Sequence, residues 1–464
     1  MSGNPSKAKP RGHGPYPSIV ISVQTTDVAA LLRSVHSGQG RVSVGQARRL
    51  AMYGKMARGV ALGFAIALSI VPQPSRATCL TSFHVVPSPN VGIYDNGLTA
   101  AAAVSATNAW AVGYFSAPAV VGSVHRTLVE HYNGTGWSVI ASANAAGSIT
   151  DDLFSVSARS ASDIWAVGNF YNGNTGGTNT LALHWNGLAW NLIQTPVARG
   201  LDDELFGVSV VPGTTTAWAV GYYQDFSNKY ATLIDFWNGS RWSVVASPNV
   251  GPTGSQLFSV AALSATNVWA TGAYVDSFDQ FRTLVEHFNG IAWSVVPSPN
   301  LDTQYGQDNN FLYRTAAVPG TADVWAVGAA VLDVTSSAGG ARSTQPLSEM
   351  WSGARWTIVS NPLLLPYQGN YFAAAALSRT QAWAVGQQTT PTTPFDQTLV
   401  ERWNGARWNI LPSPNVGSLA SDLAGVAAAP IAATLSHVWA VGQYGTGNYT
   451  SPGPTRTLIE EACQ

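Results

Sequence analysis

The chain has 464 residues, enough for two or three ordinary domains, with only 10% charged residues against 17 Trp and 45 Gly. That composition excludes a disordered chain, which needs high charge and few aromatics, and favours sheet, because β-branched and aromatic side chains suit a pleated, half-buried surface. The net charge of −1 is unevenly spread: residues 1–77 hold ten of the 23 Lys and Arg and one of the 24 acids, so the remainder carries a formal −10. Nucleic-acid binding through phosphate contacts needs clustered Lys and Arg and is excluded for that remainder.

In chain order, residues 1–47 have no hydrophobic period and read as a disordered or mis-assigned N-terminal extension. Residues 48–77 read as an export signal. Arg48, Arg49, Lys55 and Arg58 form the basic region, Val60 to Val71 is an apolar run of 12 residues, and Pro72, Pro74, Ser75 and Ala77 make a small-residue cleavage region. That run is short of the roughly 20 residues a membrane span needs. The expected product, cleaved near Ala77, is secreted or extracellular and free of the membrane; retention of the segment as an anchor is the alternative.

From residue 78 onward the chain repeats. Trp-Ala-Val-Gly begins at Trp110, Trp165, Trp218, Trp269 (with Thr271 for Val), Trp325, Trp383 and Trp439, at spacings of 55, 53, 51, 56, 58 and 56. An aromatic-Asn-Gly-x-x-Trp turn follows at Tyr132–Trp137, Trp185–Trp190, Trp237–Trp242, Phe288–Trp293, Trp351–Trp356 (with Ser352) and Trp403–Trp408. A Pro-Ser-Pro-Asn exit stands at Pro297–Asn300 and Pro412–Asn415. Each unit reads as four strands. The first is small and apolar (Leu153–Ala158, Leu257–Ala262), the second carries Trp-Ala-Val-Gly, and the third is typified by Thr127–Tyr132 and Thr283–Phe288. An Asn-Gly connector, suited to positive φ, leads to a fourth starting at the Trp. Four short antiparallel strands per repeat of about fifty residues mark a propeller blade. The expected fold is all-β: a seven-bladed β-propeller over residues 78–464. Small residues such as Ala100–Ala103 and Ala373–Ala376 relieve crowding near the axis, and the repeated Trp fill the wedges between blades.

The seventh repeat stops after Arg456–Glu461, a third strand, and Phe83–Asn90 (FHVVPSPN) matches Trp293–Asn300 (WSVVPSPN). The N-terminal strand is therefore expected to complete the last blade and close the ring, which removes open sheet edges. Cys79 and Cys463 both fall at the place of the turn Asn in that composite blade, so a Cys79–Cys463 disulfide is expected, as an oxidising compartment permits. Free thiols or a lipid-modified Cys79 are the alternatives.

On these motifs the repeat resembles those of secreted bacterial β-propellers, in the group that includes kelch and Asp-box propellers. The turn keeps the Gly-x-x-Trp half of an Asp box (Gly134 and Trp137) but has an aromatic in place of the acid (Tyr132, Trp185). The resemblance implies a structural turn away from any active site, and no catalysis.

The search for chemistry gives little. Arg126, Arg282 and Arg456, and the acids Glu130, Glu286, Glu349, Glu401, Glu460 and Asp235, recur at repeat positions and read as structural. His131, His184 and His287 share one repeat position. No zinc spacing, phosphate loop or nucleophile elbow is present, so no catalytic residue, metal site or cofactor is assigned. The non-repeating loops between second and third strands are better candidates: Phe170, Tyr171, Tyr223, Phe226, Tyr274 and Phe278 for stacking on sugar rings or anchoring a protein, Asp225 and Asp276 for accepting hydroxyl hydrogen bonds. Asp151, Asp152, Asp202, Asp203, Glu204 and Asp308 stand near the channel mouth, where a cation such as Ca²⁺ has room. The residues favour a monomeric, non-catalytic binding or scaffold propeller whose partner is a carbohydrate or cell-surface protein. The alternative is an extracellular carbohydrate-active hydrolase or lyase, with Asp152, Asp203, Glu204 and Asp308 as its pool of carboxylates.

Overall fold

Runs such as Trp-Ala-Val-Gly and Thr-Leu-Val-Glu are β-branched or aromatic, free of proline, and bounded by Ser/Asn and Asn-Gly turns; each forms a strand. The computed structural model describes residues 80–464 except 120–122, 197–201, 305, 335–341, 363–367, 418 and 449–450. The expected extension (1–47), the export signal (48–77) and Cys79 lie outside the described residues.

In chain order the strands are β1 (His84–Val85); β2 (Asn96–Ser105), β3 (Asn108–Pro118), β4 (Ser123–Tyr132) and β5 (Trp137–Val139); β6 (Ser148–Ser160), β7 (Asp163–Asn172), β8 (Gly177–Trp185) and β9 (Trp190–Leu192); β10 (Asp202–Val210), β11 (Ala217–Gln224), β12 (Tyr230–Trp237) and β13 (Trp242–Val244); β14 (Gly254–Ser264), β15 (Asn267–Val275), β16 (Phe281–Phe288) and β17 (Trp293–Val295); β18 (Asn309–Ala317), β19 (Val324–Asp333), β20 (Arg342–Trp351) and β21 (Trp356–Ile358); β22 (Gln368–Ser378), β23 (Gln381–Thr390), β24 (Thr393–Trp403) and β25 (Trp408–Leu411); and β26 (Ser421–Ala432), β27 (Leu435–Asn448) and β28 (Ser451–Cys463). Within each group consecutive strands pair antiparallel. The groups β10–β13 and β14–β17 are joined by one parallel bridge, Tyr230 to Gly254, into a single eight-stranded sheet. β1 pairs antiparallel with β28, His84 opposite Glu461, in the four-stranded sheet β1–β28–β27–β26. Repeated four-stranded antiparallel sheets of this kind are a β-propeller architecture.

The turn before each fourth strand spans the Asn-Gly-x-x of the motif. Tyr132 pairs with Trp137, so four residues form the loop. Only the Gly takes positive φ, at 93–98° in Gly134, Gly187, Gly239, Gly290, Gly353 and Gly405. The Asn acts through its side chain: Asn133 Oδ1 accepts from the N–H groups of Thr135 (3.0 Å) and Gly136 (3.2 Å), an Asx turn.

Each Trp of Trp-Ala-Val-Gly packs into the aromatic turn of the following group. Trp110 meets Trp185 and Trp190 at 5.0 and 5.6 Å between ring centroids, Trp165 meets Trp237 and Trp242, Trp218 meets Phe288 and Trp293, Trp269 meets Trp351 and Trp356, and Trp325 meets Trp403 and Trp408. The series continues through the chain's two ends. Trp383 shares a buried cluster with Phe83, which stands where other repeats have the turn Trp, and Trp439 lies 5.5 Å from Tyr132. Burying one such ring contributes about 2–3 kcal/mol.

The Pro-Ser-Pro-Asn exit proves to be a latch. Asn90, Asn144, Asn249, Asn300 and Asn415 accept, through Oδ1, the N–H groups of Thr457, Thr127, Thr232, Thr283 and Thr398 at 2.8–3.0 Å. The hydroxyls of Ser88, Ser247, Ser298 and Ser413 stand 2.6–2.8 Å from the same threonine hydroxyls. The Asn90–Thr457 latch joins residues 367 positions apart in the geometry of its local counterparts.

Candidate functional site

Every first strand carries a register shift at one equivalent place. The ladder skips Thr99, Phe154, Phe206, Phe258, Tyr313, Phe372 and Ala424, each directly after a buried Leu or Tyr. A β-bulge leaves the extra residue unpaired and re-aims its side chain. It also explains the Gly of Trp-Ala-Val-Gly, where the strand opposite comes too close for any side chain. A Cβ on Gly113, Gly168, Gly221, Gly272, Gly328, Gly386 or Gly442 would sit 1.8–2.0 Å from a carbonyl oxygen of the bulged strand.

All seven bulge residues line one cavity of about 550 Å³. Bulky rings near the convergence of the first strands run against the expectation that only small residues fit there; the bulge lets them in. Five are aromatic and touch in series: Phe154–Phe206 at 5.0 Å and 7°, Phe206–Phe258 at 6.0 Å and edge-on, Phe258–Tyr313 at 5.9 Å, Tyr313–Phe372 at 6.3 Å. Tyr222 stacks behind Phe206. Burial pushes the Tyr313 hydroxyl up to about 12. The arc is open at Ala424 and Thr99, where the small residues of β26 and β2 stand side by side.

Two residues before each bulge comes Gly97, Asp152, Glu204, Gln256, Phe311, Asn370 or Asp422. Asp422 lines the cavity with Gln387 and Gln443. Burial pushes Asp422 up to about 6, although Gln443 Nε2 donates to it at 3.4 Å. Burial also raises Glu204, whose Oε2 accepts from Asn169 at 2.9 Å. His125 lies 2.8 Å from Asp152, and this hydrogen bond raises its pKa; its ring stacks on Tyr114 at 4.3 Å, and the Tyr114 hydroxyl donates to Gln443 Oε1 at 3.3 Å. A Cβ on Gly97 would come within 2.7 Å of that Gln443 oxygen, so the glycine makes room for the Tyr114–Gln443 pair.

One residue after the bulge stand Ala100, Ser155, Gly207, Ser259, Arg314, Ala373 and Gly425. Six are small; the seventh is a guanidinium. Arg314 is half-buried and borders both this cavity and a smaller one of about 110 Å³. It donates to the carbonyl oxygens of Phe206 (2.9 Å) and Phe154 (2.5 Å), two bulge residues of other sheets. No carboxylate among the described residues lies within ion-pair distance of it. Burial pulls its pKa down to about 10.

The loop residues singled out from the sequence are spread over three sheet segments. Phe170 lines a separate cavity of about 390 Å³ and packs on the core, and Tyr171 beside it is exposed. Tyr223 and Tyr274 pack on core clusters. Asp225 accepts from Ser227 and Lys229 N–H, and Asp276 from Phe278 and Gln280 N–H and from Arg282, so both carboxylates close their own loops. Phe226 and Phe278 are bare tips, 80% and 78% exposed. Of the acids near the mouth, Asp151 and Asp308 are buried loop caps: Asp151 accepts from Ala145 N–H, and Asp308 from Asp333 N–H, both at 2.8 Å. Asp203 is buried, and Asp202 accepts from Thr178 N–H. No group of three or more His, Cys, Asp or Glu able to hold a metal occurs among the described residues. Sequence reasoning missed Tyr114, His125, Gln443, Asp422 and Arg314; the signal was there in Arg314, a lone charge at a repeat position otherwise small.

No protein-family model and no curated protein matches the chain. Among solved structures it is similar to an ulvan lyase of polysaccharide lyase family PL25 bound to a GlcA–Rha3S saccharide (TM-score 0.48, 10% identity, 81% of this chain and 98% of that one). It is similar also to the GH74 xyloglucanase of Xanthomonas campestris (0.46, 12%, 78% and 53%) and to YCF48 bound to D1 peptide (0.43, 11%, 82% and 95%).

Proposed function

We propose that this is an extracellular, non-catalytic binding propeller that receives a carbohydrate in the cavity ringed by the bulge residues. One observation carries the reading: five aromatic side chains, set by a repeated backbone bulge, line a cavity of about 550 Å³ together with Asp422, Gln387 and Gln443. Sugar rings stack their C–H faces on aromatics while amides and carboxylates take their hydroxyls, and a volume of this size is that of a small-molecule site. A glycan array followed by calorimetry tests it. Binding that falls at least roughly tenfold in Phe206→Ala or Phe258→Ala, with folding intact, is expected. Absence of any saccharide ligand, or binding indifferent to both substitutions, rejects it. The Tyr114–His125–Asp152 cluster favours a second reading, a carbohydrate-active enzyme with an acid–base pair at the mouth; new reducing ends or unsaturated products from a bound saccharide decide for it.

We further infer that the groups form seven blades closed into a ring by β1, fastened by a Cys79–Cys463 disulfide. Support comes from β1 on β28, the Ser88 and Asn90 latch to Thr457, the Trp439–Tyr132 contact, and the bond from Cys463 N–H to the Leu80 carbonyl at 2.7 Å. Intact mass of the exported protein two hydrogens below the reduced value, with both cysteines in one peptide, is expected; alkylatable cysteines without reductant refute the bridge.

A further inference from the structure

The cavity's floor says which saccharide. Arg314 is the one residue that breaks a ring of Ala, Ser and Gly, and it places a full positive charge beneath the aromatic arc. A guanidinium has five N–H donors in a planar fork. Two are taken by the Phe154 and Phe206 carbonyls, which fix the group in place. Those carbonyls are dipoles without charge, so the cation is held and left unneutralised. A half-buried cation without a counter-ion is still costly, and an anion that reaches it recovers part of that cost. The carbonyls come from bulges at which the ladder is interrupted, so the backbone feature that turns the aromatic rings inward also anchors the cation under them. Asp422, on the cavity wall, is engaged by Gln443 rather than by Arg314.

We propose that the site takes an acidic saccharide, its anionic group paired with Arg314 while its ring lies against the aromatic arc. This rests on the carbohydrate reading above and goes further by naming the ligand's charge. The remaining donors of the Arg314 fork suit a carboxylate, the group of a uronic acid, and serve a sulfate ester as well.

The test is calorimetric titration of the intact exported protein with glucose, glucuronate and glucose 6-sulfate at fixed ionic strength, alongside an NMR titration following the Arg314 side-chain Nε–H. The acidic sugars are expected to bind at least roughly tenfold tighter than glucose and to shift the Arg314 resonance. Glucuronate above glucose 6-sulfate identifies the carboxylate, the reverse the sulfate ester. Arg314→Gln is expected to abolish the preference for the acidic sugar. Arg314→Lys, which keeps the charge without the fork, is expected to retain part of it, and its thermal unfolding guards against a variant that fails to fold. Equal affinity for glucose and glucuronate, or a preference that survives Arg314→Gln, overturns the inference while the carbohydrate reading stands. If no sugar binds, both fall.

Discussion

Glu286 offers a quantitative test of how the sheets are held together. Its carboxyl lies on β16 opposite Ala270, fully buried, and neither oxygen has a hydrogen-bond partner. Burial pushes its pKa up from 4.5 to about 8. Below pH 4.5 the carboxyl is protonated both folded and unfolded, and its burial carries no ionic cost. Between 4.5 and about 8 the unfolded chain releases a proton that the folded one keeps, so stability falls by about 1.4 kcal/mol for each pH unit. Above 8 the loss is complete and amounts to about 5 kcal/mol, an order of magnitude rather than a fine value. The chain contains its own control, since β8 carries Leu183 at the equivalent place, opposite Ala166, and packs it without exposure. Glu286→Leu is therefore expected to be near neutral at pH 4.5 and more stable than the parent by several kcal/mol at pH 8. Urea unfolding at pH 4.5, 6 and 8 measures both. Parallel pH profiles for parent and variant would refute the reasoning, because they would mean that Glu286 ionises as freely folded as unfolded. Glu460 is pushed up to about 8 as well, but Ser413 Oγ, in the segment after β25, donates to it at 2.7 Å. Replacing Glu460 by Leu deletes that tie, and its gain at pH 8 is expected to be smaller.

Three further outcomes are expected. Gly168→Ala puts a Cβ 1.9 Å from the Asp152 carbonyl and flattens the bulge, at a cost of roughly 3 kcal/mol or more in thermal unfolding; Gly136→Ala, with open space around it, is expected to change little. Ser88→Ala removes the hydroxyl that donates to Thr457 at 2.7 Å, costing about 1 kcal/mol and speeding proteolysis around β1. Affinity for an acidic saccharide is expected to decline as pH rises through about 6, where Asp422 ionises beside the ligand; an affinity flat from pH 5 to 8 would detach Asp422 from the site.

What could be read in advance was whatever repeats. The strand order, the pairing of Phe83–Asn90 with the last repeat and the Trp packing all follow from residues that recur at one period, because each recurrence answers the same local demand. The Gly of Trp-Ala-Val-Gly was visible too, but its cause was not. Its φ is unremarkable; the constraint is a carbonyl brought within 2 Å of a Cβ by a bulge on another strand, and a bulge is a register event with no residue of its own. The same event hid the site. In Leu-Phe-Ser-Val the Phe read as one more apolar residue of a first strand, and one unpaired residue turned it towards the cavity. The loop aromatics stand out in the sequence because they lie in non-repeating loops, yet Asp225 and Asp276 are consumed by closing the loops that carry them. Arg314 is a long-range matter: its partners lie 108 and 160 residues away.

The repeat also dictates where specificity can arise. Seven equivalent bulges lined by seven equivalent rings would make a symmetric funnel, with no way to hold an asymmetric ligand in one orientation. The sequence breaks the equivalence at two places, for separate physical reasons. Thr99 and Ala424 put small side chains in place of rings, and Gly97 has none, where β2 adjoins β26, which opens the aromatic arc and admits the Tyr114–Gln443 pair. Arg314 adds a charge to a layer otherwise without one. A gap on one side and a cation on the floor together define a direction across the cavity, which is what a ligand with one anionic end and one hydroxylated end requires. Structural residues in this chain are those that obey the period, and the binding chemistry is concentrated in those that depart from it at positions already aimed inward by the backbone.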